Sequence, residues 1–154
     1  VQHAGVVLTE RDVAAHAYMN FPADSMENGG QLQMPRGYSI ITAACMLVRR
    51  EVYQKLGGLD EVNYAVAYND VDFCLRLREA GYSVVYTPFA RVIHHESASR
   101  GYGKGNPREA KTMRERWAGL IAHDPFSNPN IRRSEADFGP LCRYGPDYKK
   151  SDGK

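Results

Sequence analysis

The chain has 154 residues, 43% hydrophobic and 25% charged, enough for one domain with a modest core. Lys and Arg exceed Asp and Glu by 20 − 18 = 2, and no basic stripe stands out, so nucleic-acid binding is not expected. No run of about eighteen apolar residues occurs and no signal peptide is read, so no segment is expected to cross a membrane.

Cys45, Cys74 and Cys142 are odd in number and form no C-x-x-C. Cys45 and Cys74 sit in apolar runs and read as reduced core residues, which fits a cytoplasmic setting. The chain opens on Val1 and passes at once into an apolar segment, so it reads as a piece of a longer protein.

Residues 6–8 read as a short strand. Residues 12–34, rich in turn formers, read as a long loop with at most a helical turn. Residues 39–48 form a β-rich run with small residues, Ala43 and Ala44, at its middle. Such residues either admit a close approach to the backbone or pack a helix tightly on a sheet. Residues 49–56 read as a short helix closed by Gly57-Gly58.

The next helix is expected over 70–80, with Val71, Cys74 and Leu75 at i, i+3 and i+4 and Gly81 as its stop. Residues 83–87 and 91–94 read as strand pieces broken at Pro88. Asn106 and Pro107 predict the start of a third helix, running through Trp117 to about Ala122 and ending before Asp124-Pro125. Residues 131–154 read as a partly disordered tail. The pattern is α/β, with few strands for its length and exposed sheet edges.

The second helix carries the chemistry. Asn69 suits an N-cap, and Asp72 falls where a capping box wants a carboxylate and can pair with Arg76 at i+4. Asp70 and Asp72 lie two positions apart, so on a helix they point about 200° from each other. With Asp72 as the cap, Asp70 remains as the candidate general base, at a helix end that attracts negative charge. Asp70-Val71-Asp72 is also a D-x-D string, but no strongly apolar strand precedes it, so metal ligation by the pair ranks low.

His94 and His95 follow. Neighbours on a strand face opposite sides, so at most one would reach an ion. No H-x-x-x-H or H-E-x-x-H is present, and a lone His is more often structural. Ser99 and Arg100 lie in a hydroxyl- and Arg-bearing glycine loop of a kind that holds phosphate oxygens. Tyr38, Tyr64, Tyr68 and Tyr82 surround these segments, as core packing or as flat faces for sugar.

Taken in order, Thr42-Ala43-Ala44-Cys45, Leu56-Gly57-Gly58-Leu59-Asp60-Glu61, Asn69-Asp70-Val71-Asp72, Ala80-Gly81-Tyr82 and His94-His95-Glu96-Ser97-Ala98-Ser99-Arg100-Gly101 form a specific series. The series resembles the C-terminal half of a family 2 glycosyltransferase with the GT-A fold, of the bacterial rhamnosyltransferase-like type. The resemblance covers residues 5–130, and Asp124-Pro125-Phe126-Ser127-Asn128-Pro129-Asn130 is similar to the same subgroup.

It implies a small mixed sheet with flanking helices, an acceptor-side half over residues 1–130, and a missing nucleotide-binding half. It also implies a nucleotide-sugar donor, a glycan or polysaccharide acceptor, and a role in cell-surface polysaccharide synthesis. The setting would be the cytoplasm or the inner face of the membrane. Asp70 would be the base of an inverting transfer, with Tyr68 and Asn69 on the acceptor. His94, with His95 as fallback, would hold Mg²⁺ or Mn²⁺, and Ser99 and Arg100 would lie near the diphosphate. Gly57, Gly58 and Asp60 would form a structural turn. The isolated chain is expected to transfer no sugar, and its exposed half-domain surface suits a homodimer. Two other readings remain: a non-catalytic glycan- or protein-binding module derived from such an enzyme, and a metal hydrolase in which Asp70, Asp72 and one histidine converge.

Overall fold

The structure, a computed structural model, describes residues 1–95 and 106–127. Strand β1 (Val6–Thr9) pairs antiparallel with β2 (Val13–His16), and β3 (Arg36–Tyr38) pairs antiparallel with β4 (Val84–Tyr86). Val6 joins the two pairs, since its N–H donates to the Ile40 carbonyl at 3.0 Å. The expected mixed sheet is therefore two antiparallel ribbons among the described residues. Helices α1 (Glu27–Gly30), α2 (Arg50–Lys55), α3 (Asn69–Glu79) and α4 (Pro107–Ala122) complete a mixed α/β fold.

Four sequence expectations need correction. The loop expected over 12–34 contains β2. Its Ala14-Ala15 centre has little strand propensity, and pairing with β1 supplies what propensity does not. The β-rich run 39–48 is not a strand. Beyond the single Ile40 bridge it turns into a 3₁₀ segment, Ala43–Cys45, begun by Thr42, whose Oγ1 accepts from the Ala44 N–H. That turn leaves Cys45 exposed rather than in the core, whereas Cys74 is buried as expected. Residues 91–94 form no strand and are exposed, because Pro88 ends the pairing of β4.

Helix α3 runs through the middle of the molecule. Val71, Phe73, Cys74, Leu75 and Leu77 are all buried, so apolar contact covers most of its circumference. Gly81 ends it as predicted, at φ +85°, with its N–H on the Arg78 carbonyl and the Tyr82 N–H on the Leu77 carbonyl. That left-handed turn suits glycine because it lacks a Cβ.

Helix α4 begins where the sequence placed it, with the Asn106 Oδ1 accepting from the Arg108 N–H at 3.0 Å and Pro107 in the first position. Glu109, Met113, Trp117 and Ile121 recur every four residues and form its buried stripe. Past its end, the buried Asp124 carboxylate accepts from the Leu8 N–H, the Ser39 hydroxyl and the Phe126 N–H, which locks α4 onto β1. Ala4, Ala17, Tyr18, Leu32 and Tyr38 form a second small core.

Candidate functional site

The approach to α3 is strained. Tyr68 precedes the first helical residue at φ +63°, a left-handed conformation costly for a bulky side chain, and its side chain makes no cap. Asn69 is thus the first helical residue and not the expected N-cap. The chain before it is held by Glu109 of α4, whose carboxylate accepts from the Val66 N–H at 3.2 Å and the Ala67 N–H at 2.7 Å. Asn106 Nδ2 donates to the same carboxylate. Tyr68 is half-buried, with its hydroxyl toward the Asp12 carbonyl at 3.4 Å.

Asp70, in the first turn, is half-buried. Its Oδ2 accepts from the Ala43 N–H at 2.9 Å and its Oδ1 from the Val71 N–H at 2.8 Å. Each carboxylate oxygen has a second lone pair, so acceptor capacity remains on both. The small side chains of Ala43 and Ala44 allow this approach to the backbone.

Asp72 does not cap the helix. It is fully buried on the opposite side, where Oδ2 accepts from Arg76 Nε at 2.7 Å and Oδ1 accepts from Trp117 Nε1 at 3.1 Å. Arg116 Nη1 also lies 3.1 Å from Oδ1. The i+4 pairing with Arg76 holds as read from the sequence. Arg76 continues the network to the carbonyls of Leu56 and Gly58, which fastens the Gly57-Gly58 turn. The two carboxylates therefore point apart. No group of three or more His, Cys, Asp or Glu side chains converges among the described residues, so the three-ligand hydrolase reading fails on them.

Next to the 3₁₀ turn that Asp70 holds opens a cavity of about 540 Å³, lined by Ala44 and Cys45 of that turn, by His94 and Arg91, and by His3, with Asp70 itself outside the lining. His94 is exposed, with Nδ1 2.9 Å from Gln2 Oε1. His95 is exposed as well. Tyr38 and Tyr64 are buried in the core, Tyr68 is half-buried and Tyr82 is exposed. Ser99 and Arg100 lie outside the described residues.

Sequence reasoning passed over His3 and His16. Their rings meet with centroids 5.4 Å apart, and His3 Nδ1 accepts from the Gly5 N–H at 3.1 Å. Burial, then the His16 ring, lowers the His3 pKa below the usual imidazole value; the Asp70 carboxylate opposes this and His94 adds to it. With Nδ1 accepting from Gly5, the neutral ring carries its proton on Nε2. The signal was faint because the two histidines stand thirteen positions apart and only the pairing of β1 with β2 joins them.

The family model described as "Glycosyl transferase family group 2" matches residues 1–141. The chain belongs to that family. An uncharacterized protein of Sinorhizobium fredii, y4gI, is 40% identical to it over 145 residues, covering 90% of this chain and 16% of that protein. The O-antigen biosynthesis protein RfbC of Myxococcus xanthus is 35% identical over 148 residues, covering 90% of this chain and 11% of its own length. An N-acetylglucosaminyl-diphospho-decaprenol L-rhamnosyltransferase of Mycobacterium tuberculosis is 43% identical over 61 residues, 40% of this chain and 20% of that enzyme. The chain of this family group 2 member thus spans no more than about a sixth of the two relatives it matches over most of its length. No solved structure matches it significantly. No helix among the described residues is long and apolar enough to cross a membrane.

Proposed function

We propose that this chain contributes the acceptor-side, base-bearing part of a GT-A glycosyltransferase that moves a sugar from a nucleotide-sugar donor to a glycan or polysaccharide acceptor. The family match over residues 1–141 supports the reaction class. The observation that carries the residue assignment is the placement of Asp70. Its carboxylate is anchored to the Ala43 N–H of a turn whose next two residues line the cavity that His94 also lines.

In this reading Asp70 takes the proton from the acceptor hydroxyl. The oxygen so activated attacks the anomeric carbon in line, the bond to the nucleoside diphosphate breaks, and the configuration inverts. Tyr68 and Asn69, next to Asp70 at the start of α3, would touch the acceptor. The strained turn at Tyr68 and the Glu109 clamp behind it support a loop held in one geometry for substrate.

A divalent cation, Mg²⁺ or Mn²⁺, would neutralise charge on the leaving diphosphate. His94 suits one ligand position: Nδ1 lies toward the Gln2 side-chain oxygen and Nε2 has no hydrogen-bond partner among the described residues, the usual arrangement of a ligating imidazole. The described residues offer no complete set, so the other ligands would come from the diphosphate and from elsewhere in the polypeptide. The rhamnosyltransferase and O-antigen names of two relatives favour a cell-surface polysaccharide pathway.

The test is turnover of nucleotide sugars by the polypeptide that carries this segment. Asp70→Asn should lower the rate by roughly 10²–10⁴-fold while nucleotide binding survives. An Asn variant working at full rate would remove the base assignment. The 154-residue chain alone, offered a panel of nucleotide sugars, should transfer none.

A further inference from the structure

The cavity next to the Ala43–Cys45 turn has a polar group that the proposed mechanism leaves unused. His3 lines it together with His94 and Arg91, and no acidic side chain does among the described residues. Its walls are otherwise largely apolar, with Leu32, Ile41 and Val85 among them. A hollow with several nitrogen donors and no carboxylate suits an anionic ligand, and a cation on His94 would enter it together with that ligand's own oxygens.

The placement of His3 is built. Ala4 and Ala17 are fully buried and pair just beyond β1 and β2, with the Ala4 N–H on the Ala17 carbonyl at 2.9 Å and the Ala17 N–H on the Gly5 carbonyl at 3.0 Å. Gly5 takes φ +105°, and a Cβ there would meet the Tyr38 ring at 2.4 Å. That turn brings the Gly5 N–H onto His3 Nδ1, and the His16 ring packs beside it. One ring nitrogen is therefore committed as an acceptor. The other, Nε2, carries the proton and has no hydrogen-bond partner among the described residues.

We propose that His3 is a further substrate-contacting residue of this cavity, donating its Nε2–H to a phosphate oxygen of a bound diphosphate. This deepens the glycosyltransferase reading and rests on it. The diphosphate belongs either to the sugar nucleotide or to an isoprenyl-linked acceptor. The shared chemistry is the anionic oxygen, and the apolar walls suit either a base or an isoprenyl chain.

Two variants separate this role from a structural one. His3→Asn keeps an acceptor near Nδ1 for the Gly5 N–H but loses the distal donor. His3→Gln keeps a donor near Nε2 but loses the acceptor beside Gly5. Calorimetric titration of the 154-residue chain with inorganic pyrophosphate in Mg²⁺ buffer reads the difference. His3→Asn should weaken binding about tenfold or more, as expected for a hydrogen bond to a charged group, and His3→Gln by no more than about threefold. Uridine diphosphate and geranyl diphosphate, titrated in parallel, assign the source by which one exceeds pyrophosphate in affinity.

Equal loss in the two variants, a loss confined to His3→Gln, no loss in either, or no pyrophosphate binding by the unaltered chain each overturns the proposal. Binding that falls in His94→Ala but ignores His3 removes this role and leaves the proposed function standing. The proposed function itself is judged separately, by the turnover of Asp70→Asn.

Discussion

The indole Nε1–H of Trp117 donates to Asp72 Oδ1 at 3.1 Å, across the junction of α4 and α3. A fully buried carboxylate that receives an indole and two guanidinium groups is the central tie of the helical layer. Removing it leaves Arg76 with unmatched charge in a site where it is only 15% exposed. Asp72→Ala should therefore cost about 3 kcal/mol, well above the ~1 kcal/mol of a lost helix cap. Trp117→Phe, which removes one charge-assisted hydrogen bond with less loss of packing, should cost about 1.5–3 kcal/mol. Urea unfolding midpoints measure both, and an Asp72→Ala chain as stable as the parent would refute the tie.

Glu109 holds the segment leading to Tyr68 through two backbone N–H groups. Glu109→Ala removes the carboxylate that both N–H groups share and should loosen that segment at a cost of about 2 kcal/mol. Amide exchange at Val66 and Ala67 should then quicken about 30-fold if local opening is what exchanges them, while amides in the middle of α3 change far less. Uniform acceleration across α3 would mean that the clamp supports the whole fold rather than this loop.

Gly5 stands under the Tyr38 ring in a left-handed backbone conformation. Gly5→Ala meets both a steric clash and backbone strain, and should destabilise by about 2 kcal/mol or more. The thermal midpoint checks this. An unchanged midpoint would show that Tyr38 yields freely, contrary to its place in the smaller core.

The two described cysteines should react differently. Burial pushes the Cys74 thiol up to about 12, with its S–H toward the Ile41 carbonyl, whereas Cys45 is exposed on the cavity wall. Iodoacetamide at neutral pH should alkylate Cys45 in the native chain and spare Cys74, as read by peptide mass spectrometry. The same shift predicts alkaline lability. The unfolded thiol ionises near 9.0 and the folded one near 12, so the contribution of Cys74 is constant below the lower value and stability falls between the two. Cys74→Ala, which cannot ionise, should lose less stability over that interval than the parent does.

Helix starts and stops were legible where one residue acts on its nearest neighbours. Asn106-Pro107 begins α4, Gly81 ends α3 and Gly57-Gly58 closes α2, since capping and left-handed turns depend on a few consecutive residues. The order of blocks from Thr42 to Gly101 was enough for the family, because that order is itself a property of sequence. The role of Asp72 was misread because the cap it could have made competes with Trp117, forty-five positions away, and burial favours the distant partner. The strand expected over 39–48 failed for a similar reason: after the Ile40 bridge the chain turns, and Asp70 holds the Ala43 N–H.

Sequence alone thus determined helices α2, α3 and α4, the glycine stops of the first two and the start of the third, the family and the nomination of Asp70 and His94, all of which rest on local pattern or block order. Tertiary structure alone decided which acid is buried, that Glu109 and Asp124 bind distant backbone, and that His3 joins His94 on one cavity wall. Those outcomes depend on which surfaces desolvate one another, and a carboxylate or an imidazole carries no local mark of the partner it will meet.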